Sequence, residues 1–360
     1  MTLQNQIEIA LKDACRSFVF SGYQLVTETP KGVFSWEGGT TSYWPNGQAV
    51  SDETYFDLGS LTKVILTTSV LARLVERKEI KLKTPLKDYL SIFNGTRYQD
   101  LTLEQLLTHQ SGLIAWYPFY TEQSLSLLDL FLKKENEFLP SISSSPKPTY
   151  SDLGFLLLGE VLKEKFGTLI DLFENEIVQP LQLKDLSFGP LQSKNCAATE
   201  FCEVRKKLIQ GEVFDLNTAH LGNVCSHAGL FSSAKNLLPW AREWLRAVKG
   251  QSEWLSVATA KEFTTIRAIE GSCGPSSMGT WARGWDTKSK AFSSAGRFFS
   301  GASFGHLGYP GTSVWIDPEK SGIAILLTNR VHPSRLDERI KRFRPPIHDL
   351  VAKFWESHGD

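Results

Sequence analysis

No two cysteines in this chain are spaced for a metal site or a disulfide frame. There are five (Cys15, Cys196, Cys202, Cys225 and Cys273), an odd number, scattered and without a CxxC pair. That is the pattern of reduced cytosolic thiols. Net charge is missing as well. The 39 basic and 39 acidic residues cancel, so the chain offers no overall field for nucleic acid or an anionic membrane. No run of about 18 apolar residues occurs, and no membrane span is expected. Residues 1–13 carry charges through any apolar core that a secretory signal would need. The expected location is therefore the cytoplasm, or the periplasm if the true start lies upstream. The seven histidines show neither H-x-x-E-H nor H-E-x-x-H spacing, and G-x-x-x-x-G-K-[ST] does not occur. No metal and no cofactor are expected.

What is present is a hydrophobic content of 41% with 22% charged residues, enough for a sizeable core. Ten tryptophans and 22 phenylalanines point to aromatic packing or an aromatic-lined cleft. At 360 residues the chain suits one large domain or two interleaved ones. Residues 3–16 read as an amphipathic helix. Two β-branched and aromatic runs around Thr29-Pro30-Lys31-Gly32 read as an antiparallel hairpin. Short helical turns are expected over 86–90 and 102–108, broken by His109-Gln110-Ser111-Gly112, and longer helices over 122–138, 152–165 and 235–248. Residues 211–223 show little periodicity, and 269–280 form a Gly/Ser-rich loop. Strands return at 312–316 and 323–328, before a last helix over 335–355 that Pro345-Pro346 should interrupt. Strands at both ends with helices between give an α+β class. Residues 1–80 and 210–360 would form a discontinuous sheet domain and residues 81–209 a mostly helical one.

The strongest chemical signal is Ser60-Leu61-Thr62-Lys63, at the head of a long apolar helix. Residues i and i+3 share a helical face with Cβ atoms about 5–6 Å apart, so the amine of Lys63 can reach the Ser60 hydroxyl. The same S-x-x-K pattern occurs at Ser144/Lys147, in a proline-rich loop, and at Ser232/Lys235. There Ser232 and Ser233 read as helix N-caps. Taken alone, Ser60 could equally be an N-cap beside an exposed lysine. Two further stretches bear on it. Pro148-Thr149-Tyr150-Ser151-Asp152 sets a tyrosine at a loop-to-helix junction, and Gly305-His306-Leu307-Gly308-Tyr309 sets a histidine at the glycine-rich entrance to a strand.

In this order the three stretches resemble the motifs S-x-x-K, Y-[SA]-N and [KH]-[TSA]-G of the serine β-lactamase and penicillin-binding protein superfamily, nearest its class C-like branch of DD-peptidases, D-aminopeptidases and esterases. The resemblance extends to Leu106–Leu113, to His227–Ser232 and to Trp315-Ile316-Asp317-Pro318, and so covers about residues 20 to 330. It implies a β-lactamase/DD-peptidase-like fold, with the active site in the cleft between the sheet domain and the helical one, and a serine hydrolase acting through an acyl-enzyme. The substrate would be a peptidoglycan-derived D-amino-acid peptide or a small ester. Ser60 would be the nucleophile, with Lys63 and Tyr150 handling protons. The backbone N–H groups of Ser60 and Tyr309 would form the oxyanion hole. Asp152, His306 and Gly308 would contact substrate.

With ordinary pKa values near 10, Lys63 and Tyr150 can act as bases only if burial and mutual charge depress them. Asp152 stands where the family has asparagine, and His306 where it often has lysine. Both changes weaken attraction for a substrate carboxylate and favour esters or amine-bearing amides over penicillins.

Other readings stay open on the sequence. One is a carboxylesterase with little β-lactamase activity; another is a binding protein that keeps the fold without catalysis. Gly301-Ala302-Ser303-Phe304-Gly305 matches the G-x-S-x-G elbow, but glycines and a strand follow it where that elbow needs a helix. His109 reads as a structural turn residue. Asp215 and Asn217 read as residues bordering the cleft. Partners beyond a small-molecule or peptide substrate are not indicated.

Overall fold

The computed structural model describes residues 1–122, 125–141, 147–192, 195–269, 280–290 and 292–357. In chain order, the elements used below begin with α1 (Leu3–Arg16), β1 (Gly22–Thr29), β2 (Gly32–Gly39) and β3 (Phe56–Asp57). Next come α2 (a π-helical turn Lys63–Thr68 that continues as Ser69–Glu76), α3 (Leu103–Leu107), α4 (Asp152–Phe166) and α5 (Leu216–His220). Then follow β4 (Leu230–Ser232), α6 (Ala234–Val248), β5 (Ala268–Ile269), β6 (Thr280–Trp281) and β7 (Asp286–Thr287). The chain ends with β8 (Phe304–Leu307), β9 (Ser313–Asp317), β10 (Gly322–Thr328) and α7 (Ile340–Ser357). Eight strands form one antiparallel sheet in the order β2-β1-β10-β9-β8-β7-β6-β5. The hairpin at the N-terminus therefore lies against a strand near the C-terminus, with Leu25 opposite Leu326 and Val26 opposite Ile325.

Alternation along these strands feeds two cores. Leu25, Trp315, Ala324 and Leu326 pack on one face with α1 and α7, through Ile7, Leu11, Val351 and Trp355. Val26, Val314, Ile325 and Leu327 face the other way, into the large cluster that holds α2, α4 and α6. β10 is buried along its whole length, as a strand covered by helices on both faces must be.

α2 owes its course to Ser69. Its hydroxyl donates to Val64 O at 2.7 Å, across the wide turn. It also accepts the indole N–H groups of Trp240 and Trp244, each at 3.1 Å. One hydroxyl thus locks the π turn to α6, and such turns recur at functional sites.

Three expectations change. The helix expected over 122–138 is two short ones, Leu127–Lys133 and Glu135–Phe138, divided at Lys134, whose ψ of 26° leaves the helical basin. Residues 211–223 contain α5, a five-residue helix that the Asp215 side chain caps by accepting the Thr218 N–H. Its periodicity is too short to register in sequence. The last helix starts at Ile340 and runs through Pro345 and Pro346. Burial of Ile347, Val351, Phe354 and Trp355 on the sheet holds it in spite of the missing N–H donors. Ser144 and most of the Gly/Ser-rich loop at 269–280 lie outside the described residues. Among the described residues, no helix is long and apolar enough to cross a membrane, and the four cysteines are free.

Behind the sheet end, buried Asn329 ties three segments together. Its Oδ1 accepts the N–H groups of Ser21 and Gly22, and its Nδ2 donates to Ser21 Oγ and Ala198 O. Replacing it leaves several buried groups unpaired. Asn329→Ala is expected to lower unfolding free energy by about 2–4 kcal/mol in urea denaturation; a loss below about 0.5 kcal/mol would contradict this account.

Candidate active site

The site is built outward from the start of α2. β3 pairs with β4, and the chain then turns sharply at Gly59, whose φ of 51° is left-handed. A side chain there would also strike Pro310 Cδ, 2.5 Å from the position of a Cβ. Ser60 follows, half-buried, and one turn later comes Lys63, fully buried. Lys63 Nζ donates to Ser60 Oγ at 3.0 Å, to Asp152 Oδ1 at 2.6 Å and to His227 O at 3.5 Å. Its N–H bonds thus all have acceptors, which a buried ammonium requires. The rings of Tyr150 and Phe155 lie 4.9 and 5.5 Å from the nitrogen.

This geometry reverses one expectation. Burial, the largest influence, does press the Lys63 pKa down, but the Asp152 charge and hydrogen bond, with Tyr150, carry it above the ordinary lysine value. Tyr150 also moves up. Burial raises it, and the Lys63 charge and hydrogen bonds from Lys63 and Ser60 only partly oppose this. At rest, then, Lys63 is an ammonium and Tyr150 a phenol.

Tyr150 is set by His109. The His109 carbonyl accepts the Thr149 N–H at 2.8 Å, and its Nδ1 accepts the Ser151 N–H at 3.1 Å. The two residues flanking the tyrosine are therefore pinned to one histidine, whose ring lies 4.7 Å from the Tyr150 ring. An accepting Nδ1 places the ring proton on Nε2. Burial, and then the Lys63 charge, keep this imidazole neutral, well below the ordinary histidine value. His109 takes the left-handed φ of 57° to turn the chain here. The sequence marks the turn but not the tyrosine it serves. Ser151 then caps α4 by accepting the Gly154 N–H at 3.3 Å, and Asp152 opens that helix.

His306 sits on β8 opposite Val314. Its Nδ1–H donates to Leu307 O at 2.8 Å. Burial and the Lys63 cation push its pKa down to about 3, so this position holds no cation at neutral pH. Gly308 lies so close to Leu58 O that a Cβ would come within 2.3 Å of it. Thr312 Oγ1 donates to the same carbonyl at 2.9 Å. These contacts press the 308–312 loop onto the 58–60 turn and leave Tyr309 N only 3.4 Å from where a Gly59 Cβ would lie. The N–H groups of Ser60 and Tyr309 find no acceptor among the described residues. From α7, Arg344 holds the loop from behind through Gly308 O and Thr312 O, at 3.2 and 2.9 Å.

Half-buried Asp215 and fully buried His227 form a pair, Nε2 to Oδ1 3.2 Å. Burial would lower His227, but Asp215 outweighs it and lifts the imidazole to about 10. Asp215 is held below the usual carboxylate range by the His227 hydrogen bond and charge, against the opposing effect of burial. Asn217 holds the 117–120 loop, donating to Tyr117 O at 2.8 Å and accepting the Tyr120 N–H at 3.3 Å. The competing patterns come apart. Ser232 Oγ donates to Asp185 O while Lys235 reaches Asp52, and Ser303 is buried ahead of strand β8.

Comparison with known proteins gives the family of the chain. The chain matches the family model described as Beta-lactamase over residues 20–345. It is 32% identical over 319 residues to the N-acetylmuramyl-L-alanine amidase of Bacillus subtilis (strain 168), covering 79% of this chain and 70% of that protein. It is 28% identical over 312 residues to a protein of Escherichia coli O157:H7 named "Putative D-alanyl-D-alanine carboxypeptidase", covering 78% of this chain and 70% of that one. In fold it is similar to a class C β-lactamase from Rhodobacter sphaeroides, with a TM-score of 0.72 at 19% identity over 97% of this chain and 99% of that one. On this match across nearly its whole length, the chain belongs to the β-lactamase family of serine hydrolases.

Proposed function

We propose that the protein cleaves an amide or ester by forming an acyl-enzyme on Ser60, with peptidoglycan-derived D-amino-acid peptides or small esters as its substrates. The observation that carries this reading is the single ammonium of Lys63 bonded to both Ser60 Oγ, at 3.0 Å, and Asp152 Oδ1, at 2.6 Å. Neither Lys63 nor Tyr150 is a free base at rest, so the serine proton needs another acceptor. As Ser60 attacks, Lys63 passes one proton to Asp152 and takes the one leaving Ser60 Oγ. Tyr150 gives its phenolic proton to the leaving group and is resupplied by Lys63, which recovers its own from Asp152. The net transfer is from Ser60 to the leaving group, and water reverses it in deacylation. The N–H groups of Ser60 and Tyr309 would hold the oxyanion, a role worth about 10²–10³ in rate per donor.

The names of the relatives support a cell-wall amide as substrate. A neutral, buried His306 gives nothing at the third motif to attract a free carboxylate. It favours substrates whose neighbouring carboxyl is esterified or continues as an amide. The same observation supports a second reading, a carboxylesterase with little action on β-lactams.

Ser60→Ala is expected to lower aryl-ester hydrolysis by at least about 10³-fold and to abolish labelling by a fluorophosphonate, with the fold intact by circular dichroism. Wild-type turnover in that variant would end the nucleophile assignment. The wild type is expected to hydrolyse a neutral aryl ester faster than a penicillin; the opposite order would overturn the carboxylate argument. Asp152→Asn is expected to reduce kcat at pH 7 by about 10²-fold. Without Asp152, only Tyr150 opposes the effect of burial on Lys63 and its pKa falls, so the residual activity should have its pH optimum at a lower pH. An unchanged kcat and profile would remove Asp152 from the proton path.

A further inference from the structure

Asp57 is a buried carboxylate that the chemistry above leaves unused. It stands at the end of β3, three residues before Ser60, and its two oxygens face different parts of the chain. Oδ1 accepts the Gly59 N–H at 2.8 Å, and Oδ2 accepts the Phe214 N–H at 2.6 Å. The first bond fixes the left-handed turn that presents the Ser60 N–H. The second fixes Phe214, whose ring stacks on that of Tyr309 with centroids 5.7 Å apart and planes 18° from parallel. One carboxylate thus bonds both the turn that precedes Ser60 and the residue whose ring packs on Tyr309.

We propose that Asp57 is a positioning residue whose ionised carboxylate fixes the Ser60 N–H against the Tyr309 N–H, and so sets the hole that stabilises the tetrahedral oxyanion. The proposal rests on the reading of Ser60 as nucleophile. The carboxylate accepts from both donors with full charge on each oxygen. Once the acid is protonated, one oxygen becomes a hydroxyl, a weaker acceptor, and the bond to that oxygen loosens. A shift of about 1 Å in such a hole is enough to slow the reaction about 10²-fold.

The surroundings set the pH at which this happens. Burial, the largest influence, raises Asp57 to about 6. The N–H groups of Phe214 and Gly59 oppose the rise, Asp215 adds to it and Arg205 reduces it. Arg205 approaches from the turn that follows the strand at 198–202, where it donates to Val213 O at 2.8 Å. Asp215 faces Asp57 from the cap of α5 and is itself paired with His227. The strand beside β3 brings Leu230 and Phe231, which carry no charge. Because the folded-state pKa of this acid is raised, the protonated form favours folding, and that stability is lost as pH rises through about 6. The fold therefore keeps Asp57 ionised at neutral pH against its own stability. A purely structural carboxyl at this place would be better protonated.

The test measures kcat and KM for an aryl ester from pH 5 to 9 in the wild type and in Asp57→Asn, with intact-mass counting of fluorophosphonate on Ser60. The wild type should lose about tenfold in kcat between pH 7 and pH 5. Asp57→Asn should take up label yet show kcat reduced about 10–100-fold at pH 7.5, KM within about twofold and no limb near pH 6. A labelled wild type with a flat profile overturns the proposal alone, whether or not the variant folds. So does a variant that keeps wild-type kcat, or one that keeps the limb near pH 6. A wild type whose Ser60 takes no label overturns the nucleophile reading, and this proposal with it.

Discussion

A single positive charge with no access to water governs this site. Burying an ammonium is tolerated only where its protons are accepted and its charge is matched. For Lys63 the match comes from Asp152, at the first turn of α4, 89 positions along the chain. The contact therefore joins α2 to α4 and brings the first motif to the second. The same charge acts on the two imidazoles nearby. It helps keep His109 and His306 neutral, while His227, the third imidazole in this region, is charged because Asp215 lies against it. Two buried histidines are thus neutral and a third is charged, because only the third has a carboxylate against it.

The motifs and their order were legible in the sequence, because S-x-x-K spacing and loop-to-strand glycines are local features. Their electrostatics were not. Burial of Lys63 could be foreseen from Val64, Ile65 and Leu66, and burial alone predicts a depressed pKa. The opposite shift comes from Asp152, whose nearness depends on how α4 docks. His109 shows the same limit: its turn was readable, but the pinning of Thr149 and Ser151 is a contact across some 40 residues. Asp57 did carry a local sign that went unread, since an aspartate two residues before a glycine often bonds the glycine N–H in a tight turn. Its second bond, to Phe214, no local pattern could give. In the fold, the amphipathic helices and the hairpin were readable from period. α5 and the start of α7 were not, because capping and burial decided them.

Glycine enters the site through close approach. Gly308 and Gly59 let two backbone turns touch, at a separation that any side chain would widen. A reading that makes the third-motif glycine a substrate contact describes its neighbourhood. Its chemistry is the absence of a Cβ between Leu58 O and Thr312.

The pairing of β1 with β10 has a consequence in time. Ser60 and Lys63 leave the ribosome well before the residues that complete their surroundings. The strand that closes the sheet beside β1 and the arginine that braces the 308–312 loop follow them only after most of the intervening fold has been made. Contacts of such long sequence separation form late. The nascent chain thus carries the Ser60–Lys63 pair through the synthesis of residues 64–344 without the groups that order it, and the cleft is assembled only once α7 docks behind the 308–312 loop.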